Sequence, residues 1–253
     1  MEPGTKPITE ERRGDVLLLT MSRPERHNAL NAALNHWLGD AVGRAADDGV
    51  RAIVLTGAGD KAFCAGGDML EMSGVEANAA PLPPASERLN AFEALSTTPL
   101  PVIAAINGYC YGGGARLAVG CDIRLASETA TFRLPGAEYG LVVAAATLPR
   151  LVGASKAKEW IFTARKFDAQ EALAAGLVSS LHAPPDLLPA AMEMAETIAS
   201  MSPSAVQESK RVIDAASLSE DAERLESEIN RRLRGTAEQT ERFREATRRV
   251  TGR

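Results

Sequence analysis

Aliphatic residues occur in short uninterrupted runs along this chain, with little polar alternation inside them. Val16–Met21, 52–56 and Val102–Ile106 are apolar at nearly every position, the pattern of strands covered on both faces in a parallel sheet. Shorter strand signals follow at 122–126 and 131–132. Residues 32–46 switch to helical spacing, with Leu34, Leu38, Ala41, Val42 and Ala45 on one face. Further helices are predicted from Ser86 to Ser96, from Ser155, over 169–175, over 186–200, from Pro203 behind Ser202, and over 219–249 with a break at Gly235. Pro99 and Pro101 end the first of these. Residues 1–13 are polar, carry two prolines and read as a loose end, and 75–84 read as a mobile connection or lid.

Two glycine-rich corners interrupt this pattern where strand signals give way to helix. One is Phe63-Cys64-Ala65-Gly66-Gly67-Asp68, where Asp68 and Glu71 have capping-box spacing, so a structural role is the better reading for both acids. The other is Asn107-Gly108-Tyr109-Cys110-Tyr111-Gly112-Gly113-Gly114-Ala115-Arg116, which continues as a short helix to about Gly120. Glycines at a helix start leave main-chain N–H groups unshielded, at the positive end of the helix dipole. Such groups can meet negative charge developing on an oxygen, although an isolated triple glycine equally fits a tight turn packing a helix on a sheet. If the two preceding strands are neighbours, both corners share one sheet edge and their donors can converge. The chain contains no GxGxxG fold-opening turn, no GxxxxGK[ST] phosphate loop and no GxSxG elbow.

Composition narrows the class. At 253 residues the chain can bury one sizeable α/β core, and a net charge of −5 gives no nucleic-acid footprint. Cys64, Cys110 and Cys121 form no CxxC pair, and His27, His36 and His182 are far apart in sequence, so no metal site is expected. The scattered cysteines fit a reducing cytoplasm. No uncharged segment of membrane-spanning length occurs, and residues 1–13 lack the apolar core of a signal peptide. Asp122 reads as a structural acceptor, Cys64 and Cys110 as small buried apolar groups, and 141–146 as the lining of a cavity or subunit contact.

Over nearly its whole length the chain resembles the enoyl-CoA hydratase/isomerase (crotonase) family. The resemblance rests on Ser22-Arg23-Pro24-Glu25-Arg26-His27-Asn28-Ala29-Leu30-Asn31, residues 52–68, 101–126, Phe132-Arg133-Leu134-Pro135, Leu148-Pro149-Arg150-Leu151-Val152-Gly153, 169–178 and the final helix with Phe243. It implies an α/β fold with a spiral of ββα turns over 1–195, and a helical C-terminal region over 196–253 that forms a homotrimer or dimer of trimers. It also implies a CoA thioester as substrate or ligand, with no further cofactor. By position, the Gly67 and Gly113 amides match the oxyanion hole. Lys61 to Ala65 match the wall at the adenine, Arg26 beside Glu25 the neighbourhood of the CoA phosphates, and Phe243 with Arg248 a region that reaches CoA in a neighbouring subunit.

The chain departs from that pattern at both hydratase acids. Arg116 stands where the first glutamate belongs and Gly136 where the second does, and neither side chain can act as a general base near neutral pH. Two-carboxylate hydration is therefore not supported. Glu138 is the remaining acid nearby; two residues on, it projects about 200° round a helix from Gly136 and is expected to face solvent or an arginine. Arg116 could bind a substrate carboxylate or pair with Glu138, and a buried arginine would need a partner. Tyr109, Tyr111 and Tyr139 could donate hydrogen bonds or pack under the cleft. The expected function is an acyl-CoA enzyme, lyase- or isomerase-like by resemblance, that uses the oxyanion hole without the glutamate pair, in decarboxylation or thioester hydrolysis. A non-catalytic acyl-CoA-binding protein is the alternative.

Overall fold

A computed structural model describes residues 6–75 and 82–252. Among the described residues, ten strands form two sheets. The larger runs β1 (Ile8–Arg13), β2 (Val16–Met21), β3 (Ala52–Gly57), β5 (Val102–Ile106), β7 (Ile123–Ser127), β10 (Ser180–His182), parallel except for the β1–β2 hairpin. The smaller runs β4 (Ala62–Cys64), β6 (Tyr109–Tyr111), β8 (Thr131–Arg133), β9 (Phe167–Asp168). The chain alternates between the sheets, so β3–β5 in one and β4–β6 in the other are paired in parallel.

The aliphatic runs are explained by burial on both sides of the larger sheet. Leu17, Leu19, Ile53, Leu55, Val102, Ala104 and Ile106 face the main core, which also receives α1 (Ala32–Arg44) and α3 (Ala91–Thr97). Their neighbours Val16, Leu18, Val54, Ile103 and Ala105 face the opposite way, onto Leu187, Ala191, Met192 and Ala195 of α7 (Leu187–Ala199). Strands with no solvent face have no polar positions to alternate. Beyond α7 come α8 (Pro203–Ser217), α9 (Glu220–Leu233) and α10 (Ala237–Thr251). Among the described residues no helix is long and apolar enough to cross a membrane.

Three local expectations are corrected. Residues 8–13, read as loose, form β1, because pairing with β2 satisfies their main chain even though their side chains after Ile8 are exposed. The helix expected from Ser86 is a single 3₁₀ turn, 85–87, and α3 begins later, where the Asn90 side chain accepts from the Phe92 N–H. The helix expected from near Ser155 is present as the part of α5 (Leu148–Thr163) after its break at Gly153, whose φ of 76° is not helical; a short helical piece with Pro149 in its first turn precedes the break. The Asp68/Glu71 capping box is only half made. Asp68 accepts from Leu70 and Glu71, whereas the Glu71 carboxylate reaches across to the Ala32 N–H, 3.0 Å away. Most of the 75–84 connection lies outside the described residues.

A polar knot ties the first glycine corner to the sheet. His27 and Asn28 both have left-handed backbone conformations (φ 50° and 55°). Asn28 is fully buried: its Oδ1 accepts from the Arg23 N–H at 3.0 Å, and its Nδ2 donates to Ala58 O at 3.0 Å and Ala62 O at 2.8 Å. Substituting Asn28→Ala strands these groups without water, so about 3 kcal/mol of stability should be lost, on the scale of two unpaired buried polar groups; a urea-unfolding midpoint unchanged from wild type would contradict the assignment. The three thiols are buried free cysteines, and burial pushes Cys64 and Cys121 up to about 12 and Cys110 well above its usual range. None should react with an aromatic disulfide reagent at pH 8 in the folded protein, and all three should react after unfolding.

Candidate functional site

The end of β4 and the end of β6 lie side by side, and each delivers one glycine corner. Gly66 turns the first at φ 111° and Gly112 the second at φ 50°, conformations that favour glycine. A Cβ built on Gly113 would stand 3.5 Å from the Gly67 nitrogen, and one built on Gly66 would stand 3.7 Å from the Gly113 nitrogen. The two corners are thus in van der Waals contact. Gly113 is the first residue of α4 (Gly113–Gly120) and Gly67 stands two residues before α2 (Met69–Met72). Among the described residues, neither the Gly67 nor the Gly113 N–H donates to a protein acceptor. Two free main-chain donors at one place, one at a helix start, suit an oxygen on which negative charge develops.

Both sides of the Gly67 peptide are fixed. Leu30 pairs with it as an isolated strand residue: Leu30 N–H donates to Gly66 O at 2.7 Å and Asp68 N–H to Leu30 O at 2.8 Å. Asp68 also accepts from the Arg23 guanidinium at 2.8 Å, with both side chains about nine-tenths buried. Asp68 is therefore a framing residue. Leu30 Cδ1, Met72 Sδ and Pro135 stand next to Gly113, Gly67 and Gly112 respectively, and give the corner an apolar rim.

Gly136 and Arg116 differ in character. At Gly136 a Cβ would stand 2.8 Å from Leu141 O and 2.9 Å from Val143 Cγ2, so the chain at 141–143 occupies the space a side chain would need. Arg116 projects from α4 with its guanidinium carbon 4.4 Å from the centre of the Phe92 ring. Of the two roles left open for Arg116, the pairing with Glu138 does not form, while Glu138 does face arginines as expected. Glu138 binds Arg133 and Arg249 instead, and Arg116 is exposed, so it needs no buried counter-ion. As expected, Asp122 is an acceptor, taking the Val102 N–H at 2.8 Å and Lys210 Nζ at 2.9 Å.

Other sequence-selected residues gather around the corner. Ala65 N–H donates to His27 O at 3.0 Å, which sets 61–65 beside the loop that carries Arg26, and Lys61 O accepts from Tyr109. The Tyr109 and Tyr111 rings stack, and the Tyr111 hydroxyl bonds Thr131. Phe243, on α10, packs edge-on against Tyr139 of its own chain at 6.2 Å, and Gln239 lies against Gly140. The C-terminal helix thereby closes over the 136–140 turn.

Sequence reading missed a set of residues on α9. Asn230 exchanges two hydrogen bonds with the main chain of Val142, and the Glu226 carboxylate accepts from Ala144 and Ala146. These side chains hold the apolar 142–146 segment in place. One signal was available: Glu226 interrupts a helical stripe formed by Ala222, Ile229 and Leu233. Next to this segment lies a cavity of about 330 Å³, lined by Phe92, Glu93, Arg116, Thr147, Glu223 and Glu226 among others.

Comparison with known proteins agrees with this geometry. The family model described as enoyl-CoA hydratase/isomerase matches residues 11–250. A short-chain-enoyl-CoA hydratase of Clostridium acetobutylicum is 39% identical over 218 residues, covering 81% of this chain and 79% of that one. The crystal structure of an enoyl-CoA hydratase/isomerase from Pseudoalteromonas atlantica superposes with a TM-score of 0.85 at 32% identity, covering 96% of this chain and 98% of the other. A monofunctional enoyl-CoA isomerase from M. smegmatis gives 0.71 at 34% identity, covering 86% and 98%. The two sheets, the paired glycine corners and these matches together make the chain a member of the enoyl-CoA hydratase/isomerase (crotonase) family.

Proposed function

We propose that the protein is an acyl-CoA enzyme in which the Gly67 and Gly113 amides hold the thioester oxygen, and in which no glutamate pair takes part. The observation that carries this reading is the contact between two corners with undonated N–H groups, beside a Gly136 position closed by Leu141 and Val143. The chemistry such a site favours forms an anion on the thioester oxygen. In decarboxylation, the C–C bond to a carboxylate breaks and its electron pair passes to that oxygen as an enolate. In thioester hydrolysis, water adds to the carbonyl carbon and the same oxygen carries the charge of the tetrahedral adduct until the thiolate leaves. Arg26, Lys61 and Ala65 flank the CoA, and Phe243 closes the site from α10.

The C-terminal region is also the proposed homotrimer contact. α8 buries no residue within its own chain, and Val212 and Ile213 are 64% and 62% exposed. Light scattering on the purified protein should give three or six copies, and Val212→Glu with Ile213→Glu should lower the mass; a monomeric wild type would refute the contact.

A panel of acyl-CoAs, followed by mass spectrometry, tests the chemistry. The protein should consume thioesters by hydrolysis or loss of carbon dioxide and leave crotonyl-CoA unhydrated. Gly136→Glu should not confer hydration, since the new side chain collides with Leu141 and Val143, and should cost stability through overpacking. Hydration of crotonyl-CoA by the wild type, lost in Glu138→Gln or Arg116→Ala, would overturn the reading. Tight binding of acyl-CoAs with no turnover across the panel would favour a carrier role.

A further inference from the structure

α4 carries a cation at the end opposite the glycine corner. Arg124, on β7, is 5% exposed. Its Nη1 donates to Cys121 O at 2.7 Å and to Ala118 O at 3.4 Å, both at the C-terminal end of α4. Its Nε donates to Leu177 O at 2.7 Å. The guanidinium therefore caps the helix whose first residue, Gly113, offers its N–H at the other end. Eight residues separate the two ends, about 12 Å of helix.

This charge is not neutralised by an acid. All three acceptors are main-chain oxygens, and no carboxylate of a described residue forms an ion pair with Arg124. Asp122, two positions away, is taken by Lys210 Nζ and the Val102 N–H. Burial pulls the Arg124 pKa below the usual arginine value, but an arginine stays protonated near neutral pH. Burying a charge is costly, and helix ends are commonly closed by a left-handed glycine or by neutral donors. A full charge does something those caps do not. The carbonyl end of a helix carries about half a negative charge, which works against the positive N-terminal end. The guanidinium outweighs that negative end and makes the potential at the Gly113 amide more positive. For unit charges about 12 Å apart at an effective dielectric constant of about 20, Coulomb's law gives about a tenfold factor in the stability of the anion.

We propose that Arg124 is a positioning residue for the thioester oxygen, its buried charge acting through α4 to strengthen the hold of the Gly113 amide on negative charge. This rests on the acyl-CoA reading above and deepens it. The probe is a ketone analogue of butanoyl-CoA, carbon-13 labelled at the carbonyl, with a methylene between sulfur and carbonyl to prevent turnover. Isotope-edited infrared spectra of the probe on the full-length protein read the polarisation of that carbonyl. On the wild type its stretch should fall below its frequency in water. Arg124→Gln removes the charge and keeps a donor; it should lose half or more of the shift. Arg124→Lys keeps the charge without the planar fork and should retain most of it. Both should bind CoA, which lacks the carbonyl, as the wild type does. Gly120 stands at the same end of α4, and a Cβ there meets no atom within 4 Å outside its own helix. Gly120→Asp should weaken the shift and Gly120→Asn leave it, and this pair decides the matter if the Arg124 variants do not fold. A full shift in Arg124→Gln, equal losses in the Gln and Lys variants, or equal shifts in the two Gly120 variants overturns the proposal and leaves the acyl-CoA reading intact. A wild-type carbonyl at its frequency in water, or no binding of probe and CoA, removes both.

Discussion

The first turn of α4 rests directly on the end of β4, main chain against main chain. A Cβ on Gly114 would collide with Cys64 O and stand 2.7 Å from Cys64 Cβ. Everything at the site depends on that closeness. With any side chain there, α4 would have to lift, and the Gly113 amide would leave the neighbourhood of Gly67. The small, inert thiol of Cys64 beneath it is part of the same constraint, since a bulkier residue would push from the other side. Pairing of β4 with β6 sets the lateral distance, and Leu30 with the Arg23–Asp68 ion pair stops the Gly67 peptide from rotating.

The glycine at position 136 and the hydrogen bonding of α9 belong to one arrangement. The segment after Gly136 folds back over it, with Leu141 and Val143 in the space beside its Cα. Such a fold-back leaves main-chain N–H groups of an irregular segment away from strand partners, and these must find acceptors. Asn230 and Glu226 supply them. The folded-back segment forms a wall beside Gly136, and that wall is supported from a helix more than eighty residues further along the chain.

The strands were legible because both faces of the larger sheet are buried, so each run is apolar without interruption. The glycine corners were legible because close backbone approach leaves no alternative residue. β1 escaped notice since its stability comes from ladder bonds to β2 rather than from its own side chains, which after Ile8 are exposed. Capping chemistry misled at Ser86, which lies inside a 3₁₀ turn, and the helix waits for Asn90. That Glu138 would meet an arginine was legible, and Arg133 is close in sequence; its second partner, Arg249 on α10, and the stacking of Arg116 on Phe92 of α3 were not, because distant elements supply them. Glu226 looked like one more acid on a charged helix, and only the tertiary arrangement shows what its carboxylate holds.

The attachment of α9 is sensitive to helical phase. Glu226 and Asn230 are four positions apart, so they lie on one side of the helix and reach successive peptides of 142–146 together. Inserting or deleting a single residue early in α9 would turn that side by about 100° and detach both at once, whereas many point changes on its outer side would be silent. Variation in α9 can therefore reshape the 142–146 segment in one step, while the glycine corner, built from residues before 137, is left untouched.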